Sequence, residues 1–290
     1  KSIVIVGGGV IGVEFATLFS QLEARVTVLE MLPQILPSID PDVAAYSREA
    51  LENGGVDVRT GAALKSVVKG ASGLTVNFNE GGAARRVTAD RVLIAAGREP
   101  NTEGLGLQEL GVRLSKGAAE VDEYFRTSVP GVYAVGDCNG QNMLAHAAMA
   151  QGVAAAEHIM GVAPKYDPKF VPACVYSSPE IASVGMTEKQ AREGGADCSV
   201  GLFPLSGNGK ALIEGEGGFI KIIADSRFGE ILGVHIVAPR ATEIIAEAAL
   251  CMSMEGVAED IVRAVHAHPT VSEAFGEAAR SVFGKPIHGT

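Results

Sequence analysis

Two groups of residues in this 290-residue chain have types and spacings that do chemistry, and they stand at opposite ends of it. Near the C-terminus runs His266-Ala267-His268-Pro269-Thr270-Val271-Ser272-Glu273. An imidazole paired with a carboxylate is a general base: the acid sets the tautomer through one ring nitrogen and raises the basicity of the other. His268 and Glu273 suit that pairing. The same residues admit a second reading, because Thr270-x-x-Glu273 is also a capping box in which Glu273 returns to the Thr270 backbone N–H. Spacing alone favours the cap. Two histidines at i, i+2 are a metal pattern too, but no neighbouring acid or cysteine completes a ligand set, so no metal is expected.

At the other end, Gly7-Gly8-Gly9-Val10-Ile11-Gly12 places Gly7, Gly9 and Gly12 at GxGxxG spacing. The pattern follows the strand-like run Ile3-Val4-Ile5-Val6 and opens a helical one, which is the context the motif needs. Gly7 makes the tight turn, Gly9 lets a pyrophosphate approach the backbone, and Gly12 lets helix and strand pack closely. The helix N-terminus stabilises the anion. Glu30 closes the second strand, 18 residues past Gly12. A carboxylate there accepts ribose hydroxyls and repels a 2′-phosphate, and the next arginine, Arg48, is too far along to clamp one. The expected ligand is NAD rather than NADP.

The elements that position these groups can be read from patterning. Residues 1–97 alternate apolar strands (3–6, 25–29, 74–78, 87–95) with helices over 10–22 and from Asp40-Pro41 to Gly54-Gly55, as a parallel α/β unit does. Residues 98–165 are less regular, with a strand at 131–135 and an alanine-rich helix over 143–160. Gly161, Pro164 and Pro168 mark a linker. Beyond it the pattern turns antiparallel, with strands near 173–177, 181–185, 198–204, 218–225 and 230–237, then helices 241–254 and 271–283. The expected fold class is α/β, with a Rossmann-like first domain (1–97), a middle domain (98–165) and a C-terminal α+β domain with an antiparallel sheet (166–290).

Composition narrows the function. Lys plus Arg is 24 and Asp plus Glu 34, a formal charge of −10, which opposes nucleic-acid or anionic-membrane binding. No apolar run is long enough to span a bilayer, and a glycine-broken start does not fit a signal peptide. An acidic, cytoplasmic protein is expected. The four cysteines, Cys138, Cys174, Cys198 and Cys251, form no CxxC pair and read as buried thiols.

Several stretches, in one order, carry a resemblance: Gly7 to Glu14, Ala96 to Asn101, Ala134 to Asp137, Met143 to His146, Ser178 to Gly185 and His266 to Ala274. Together they resemble the pyridine nucleotide–disulfide oxidoreductases of class I, from the NAD domain to near the end. The resemblance implies a flavoprotein oxidoreductase with FAD and NAD, in which electrons pass from a protein-bound dihydrolipoyl dithiol to an enzyme disulfide, through flavin, to NAD⁺. It assigns Gly7, Gly8, Gly9, Val10, Ile11, Gly12, Val13, Glu14 and Glu30 to the NAD site, with Gly97 lining it and Glu14 near the nicotinamide–flavin junction. Asp137 would accept a hydrogen bond from the FAD ribityl chain, and Met143, Leu144, Ala145 and His146 would pass the flavin ring. Residues 98–165 would then be the rear part of an FAD-binding domain, and 166–290 a dimerisation domain. His268 becomes the proton acceptor from the substrate thiol and Glu273 its orienter, acting on the disulfide of the other subunit of a homodimer. The implied partners are lipoyl domains of 2-oxo-acid dehydrogenase complexes or the lipoyl carrier of glycine cleavage.

The chain departs from this family in two places. Its CxxxxC redox pair and a second GxGxxG, for the FAD adenosine half, have no counterpart here, and both would fall before Lys1. The chain is therefore expected to be the later part of a longer enzyme, inactive by itself. The rival expectations are another disulfide reductase of the family, such as a glutathione reductase, or a non-catalytic NAD-binding dimeric module.

Overall fold

The computed structural model describes residues 1–71, 73–215 and 217–288. Its contacts divide the chain into two compact units, residues 1–97 with 172–290, and residues 98–171.

The first unit begins with β1 (Ser2–Val6), buried along its whole length. Its β-branched residues have no solvent face, which is the pattern of a strand covered on both sides. α1 (Val10–Gln21), β2 (Arg25–Leu29), α2 (Pro41–Asn53) and β3 (Asp57–Arg59) follow. β4 (Ala62–Gly70), β5 (Gly73–Glu80) and β6 (Ala83–Ala89) form an antiparallel three-stranded sheet, and β7 (Arg91–Ile94) returns to β1. The parallel sheet runs β3-β2-β1-β7, so the glycine turn leaves a central strand. One long strand expected over 87–95 is thus two strands in different sheets. Asp90 makes the corner: its carboxylate accepts the Ser2 N–H at 2.8 Å and the Ser2 hydroxyl at 3.1 Å. β3 and β4 had no expectation, because β4 is mostly exposed and shows no apolar alternation.

Residues 98–171 hold a small hairpin, β8 (Leu114–Ser115) and β9 (Ala118–Ala119), a 3₁₀ turn at Gly136–Asn139, and α3 (Ala145–Ile159). The strand expected at 131–135 is only a single bridge, Arg126 with Tyr133. Gly131 and Gly136 both have positive φ and pinch the segment too short for a ladder. Its apolar side chains still serve a core, in which Phe125, Ala154 and Ala155 meet Tyr133, Val135 and Tyr166.

From Pro172 the chain rejoins the first unit. β10 (Ala173–Val175), β11 (Glu180–Gly185), α4 (Glu188–Glu193), β12 (Cys198–Pro204), α5 (Gly209–Glu214), β13 (Phe219–Asp225) and β14 (Ile231–Ala238) come first. α6 (Ala241–Ser253), α7 (Ala258–Arg263) and α8 (Glu273–Val282) follow. The five strands pair antiparallel throughout, as the sequence led one to expect, in the order β10-β11-β14-β13-β12 that the sequence did not specify. α8 lies directly on β12: a Cβ on Gly201 would come 2.2 Å from the Ala278 carbonyl oxygen. Val175, Ile181, Phe219 and Val237 join Ile5, Val28 and Val43 in one core, so the parallel and antiparallel sheets of this unit are fused.

Candidate functional site

The glycine turn is built by mutual exclusion of side chains. Gly7 has φ +109°, and a Cβ there would lie 2.3 Å from the Ala95 carbonyl oxygen. At Gly12 a Cβ would lie 1.9 Å from the Gly7 carbonyl oxygen, so the helix and the turn touch backbone to backbone. Gly9 differs. Its φ of −73° and ψ of −173° suit any residue, and a Cβ there would meet nothing within 4 Å. The protein itself does not require glycine at 9, whereas a ligand lying against that backbone does. α1 starts at Val10 with neither a capping side chain nor an acid in its first turn, while Val13 makes the first intrahelical bond to Gly9. The N–H groups of that turn have no acceptor within the helix, and the dipole adds positive potential. Val10 is at the exposed edge, Ile11 is half-buried and Val13 is in the core. This cradle fits a dinucleotide pyrophosphate.

Glu30 is 6% exposed and both its oxygens are engaged. Oε2 accepts the Gly8 N–H at 2.7 Å and Oε1 accepts the Leu32 N–H at 2.8 Å. The acid expected to meet a ribose therefore also ties the end of β2 to the turn, and each oxygen keeps a lone pair for a hydroxyl. Arg48 is occupied on α2, with Nε 2.9 Å from Glu52 and Nη groups toward Thr60 and the Val58 carbonyl.

One turn further along α1, half-buried Glu14 accepts the Tyr176 N–H at 3.0 Å, joining the glycine-turn helix to the end of β10. Gly97, exposed at φ +138°, has open space where a Cβ would stand. In the 98–171 unit, the Asp137 carboxylate is exposed and 3.1 Å from Arg98 Nη1, and Arg98 Nη2 donates to the Met143 carbonyl. Arg98 thus brackets the Gly136–Asn139 turn and the start of α3. Met143 and Leu144 are half-buried, Ala145 and His146 exposed. α3 has no side-chain cap and no acid in its first turn, so its positive end suits a group that accumulates negative charge. That is the half-site an isoalloxazine edge and ribityl chain would need.

The tail cluster resolves the competition between cap and base. Glu273 does both: Oε2 accepts the Thr270 N–H at 2.9 Å, and Oε1 is 2.9 Å from His268 Nδ1. The rest of the capping box is missing, since Thr270 Oγ1 turns to the Ala267 carbonyl and Ser272, and α8 begins at Glu273. Burial works to raise the Glu273 carboxyl, but the Thr270 N–H and the His268 ring outweigh it and hold it below the usual range. The acid stays ionised, and with Nδ1 facing it Nε2 is the ring nitrogen turned away from the carboxylate. The His268 side chain is 80% exposed. His266 is not part of this pair. Its Nε2 lies 3.0 Å from Glu247 on α6, and that bond raises its pKa against the opposing effect of burial.

Among the described residues no group of three His, Cys, Asp or Glu side chains is arranged to hold a metal ion. All four cysteines are free thiols, but only Cys198 is buried as expected; Cys138, Cys174 and Cys251 are half-buried. Burial, with nearby carboxylates, pushes the Cys174 and Cys251 thiols up, the opposite of what an attacking thiolate needs. The sequence reading passed over Arg98 and Lys221. Arg98 sits inside a quoted motif, and Lys221 is the single charge within the apolar run Phe219 to Ala224. A lone charge in a buried strand was the available signal.

A family model described as pyridine nucleotide-disulphide oxidoreductase matches residues 1–152, and its dimerisation-domain counterpart matches residues 171–279. A dihydrolipoyl dehydrogenase of Thermus scotoductus is 41% identical over 292 residues, covering 99% of this chain and 63% of the relative. One from Bacillus subtilis is 43% identical over 289 residues, with the same coverage of each. The crystal structure of LpdA from Mycobacterium tuberculosis superposes with a TM-score of 0.88 at 33% identity, over 96% of this chain and 61% of that one. The chain therefore spans a little over three fifths of the length of the proteins it matches.

Proposed function

Because this chain belongs to the pyridine nucleotide-disulphide oxidoreductase family, we propose that it supplies the NAD site and the thiol base of a dihydrolipoyl dehydrogenase. The observation that carries the reading is the single Glu273 carboxylate shared between the Thr270 N–H and His268 Nδ1, which leaves Nε2 exposed. A nucleotide-binding module without chemistry has no use for an oriented, solvent-facing imidazole.

In this reading Nε2 of His268 takes the proton from a dihydrolipoyl thiol, and the imidazolium is stabilised by Glu273. Thiolate is the attacking species in thiol–disulfide exchange, so the base raises the reactive fraction at neutral pH. The glycine turn and Glu30 hold NAD⁺ by its pyrophosphate and adenosine ribose, and Glu14 lies one turn along α1 toward the nicotinamide. Asp137, Arg98 and the N-terminus of α3 would hold part of an FAD, which when bound supplies the two-electron relay between disulfide and NAD⁺. The redox disulfide is not drawn from Cys138, Cys174, Cys198 or Cys251. The homodimer, the lipoyl-domain partners and a cytoplasmic site of action come with the same reading.

Two measurements test it. NADH titrated into the 290-residue chain should bind saturably and more tightly than NADPH; no saturable binding rejects the nucleotide assignment. The chain supplemented with FAD should form no NADH from dihydrolipoamide and NAD⁺. Appreciable turnover would show that these cysteines suffice and overturn the reading of them.

A further inference from the structure

Three carboxylates converge on one buried ammonium in the antiparallel sheet. Lys221, in the middle of β13, is 2% exposed, and its Nζ lies 3.0 Å from Asp40 Oδ1, 2.6 Å from Asp42 Oδ2 and 2.8 Å from Glu188 Oε2. Its strand neighbours Ile220, Ile222 and Ile223 are all fully buried. An apolar residue of similar length would pack there without any cost of desolvating charge, and a buried ion pair is weak evidence for stability. The lysine is better explained by what it fixes in place.

What it fixes is Asp40. That side chain is wholly buried, caps α2 through the Asp42 N–H, and accepts the Glu188 N–H at 3.1 Å. Asp40 ends the segment that lies against the glycine turn. Within it, the Leu36 N–H donates to the Gly8 carbonyl at 2.8 Å, and the Leu32 N–H donates to Glu30. Ile35 Cγ2 stands 2.9 Å from where a Gly8 Cβ would be. Leu36 has φ +49°, a left-handed conformation that a leucine adopts only when its surroundings enforce it. A strained segment of this kind needs both ends held. Glu30 holds one end and Lys221 holds the other.

We propose that Lys221 is a positioning residue for the nucleotide: through Asp40 it holds residues 31–40 in the strained path that props the Gly8 backbone and orients Glu30. The proposal rests on the pyridine-nucleotide reading of the glycine turn.

The test uses the full chain and the paired change Lys221→Met with Asp40→Asn. Asn keeps the cap to the Asp42 N–H but has no second oxygen for the Glu188 N–H, so the variant releases Asp40 from Lys221 and Glu188 together; the Asp42 and Glu188 side chains are exposed enough to be hydrated, so no charge is left buried and alone. Amide hydrogen exchange is read at Leu32 and Leu36, with Ile5 and Val28 in the parallel sheet as references, alongside the NADH dissociation constant. The expected result is exchange at least tenfold faster at Leu32 and Leu36, unchanged at Ile5 and Val28, with NADH bound 5- to 20-fold more weakly. Wild-type exchange at Leu36 and wild-type NADH affinity would overturn the proposal, and so would uniform acceleration at all four amides, which marks a merely structural role. If the paired variant fails to fold, Asp42→Asn takes its place, with a smaller change in the same direction expected at Leu36 and no change overturning the proposal. If the unaltered chain binds no NADH, the nucleotide reading fails, whereas the Leu36 exchange still decides whether Lys221 holds the segment.

Discussion

Gly9 and Gly12 are both glycines of one motif, and the structure separates their roles cleanly enough to be measured. At Gly12 an added methyl would stand 1.9 Å from the Gly7 carbonyl oxygen and 3.0 Å from its carbon, both backbone atoms that cannot rotate away. Overpacking of this kind costs about 1–3 kcal/mol and more where backbone must shift, so Gly12→Ala is expected at or beyond the upper end. At Gly9 the methyl enters open space at ordinary dihedral angles. Replacing glycine there restricts the unfolded chain, a gain of about 0.4–1 kcal/mol. Alanine is a poorer N-cap than glycine, a loss of similar size. The two offset each other, and Gly9→Ala is expected within about 0.5 kcal/mol of the parent. Its effect falls on the ligand instead. A methyl between the backbone and a pyrophosphate should cost about 1–3 kcal/mol of binding, which is roughly 5- to 150-fold in affinity. Denaturant unfolding and NADH fluorescence titration on both variants read the two effects separately. Gly9→Ala binding NADH as the parent does, or losing as much stability as Gly12→Ala, would refute the assignment of Gly9 to the ligand.

Four further outcomes follow from the charged groups. In the protein that turns over dihydrolipoamide, His268→Gln should lower kcat/KM by about 10²–10⁴-fold, the usual range for a lost general base, without changing NADH affinity. Glu273→Gln, which cannot accept from both the ring and the Thr270 N–H, should lower kcat/KM less. The His266–Glu247 bond raises the histidine pKa, so its stabilisation is complete below the ordinary value of 6.5 and lost as pH rises through the raised one. Unfolding free energy of Glu247→Gln should therefore match the parent more closely at pH 9 than at pH 5.5. At Asp40, burial opposes ionisation, but the Lys221 ammonium and the Glu188 N–H prevail and hold the carboxyl below 3.8; Lys221 and Arg192 hold Glu188 below 4.5. Their contribution is present above those values and is lost as pH falls through the depressed ones, so Asp40→Asn should flatten the stability–pH curve on the acid side, and an unchanged slope below pH 4 would contradict the cluster.

The relatives' shared name covers a whole enzyme, and only part of its chemistry can be assigned to residues of this chain. The glycine turn, Glu30, Glu14 and the His268–Glu273 pair lie in the unit formed by residues 1–97 and 172–290. Arg98, Asp137 and the start of α3 lie in the other. Each half-site is coherent by itself.

Short-range pattern made much of this legible before any coordinates. An uninterrupted β-branched run followed by glycines and a helix announces a central parallel strand with its turn, because strand burial and helix entry are decided within about ten residues. The antiparallel run from 173 onward was readable for the same reason, with strand 198–204 found at its observed bounds. Where a segment's partner is distant, the letters were silent or misleading. Residues 87–95 look like one strand, and only the Ser2–Asp90 contact, 88 residues apart, divides them between two sheets. The spacing of Thr270 and Glu273 implied a choice between cap and base, whereas a carboxylate has two oxygens and the fold uses one for each. Lys221 was unreadable for the most basic reason. A charge in an apolar strand is tolerable only if its counter-charges arrive from elsewhere, and Asp40 and Glu188 are brought to it by the packing of α2 and α4, which no local pattern encodes.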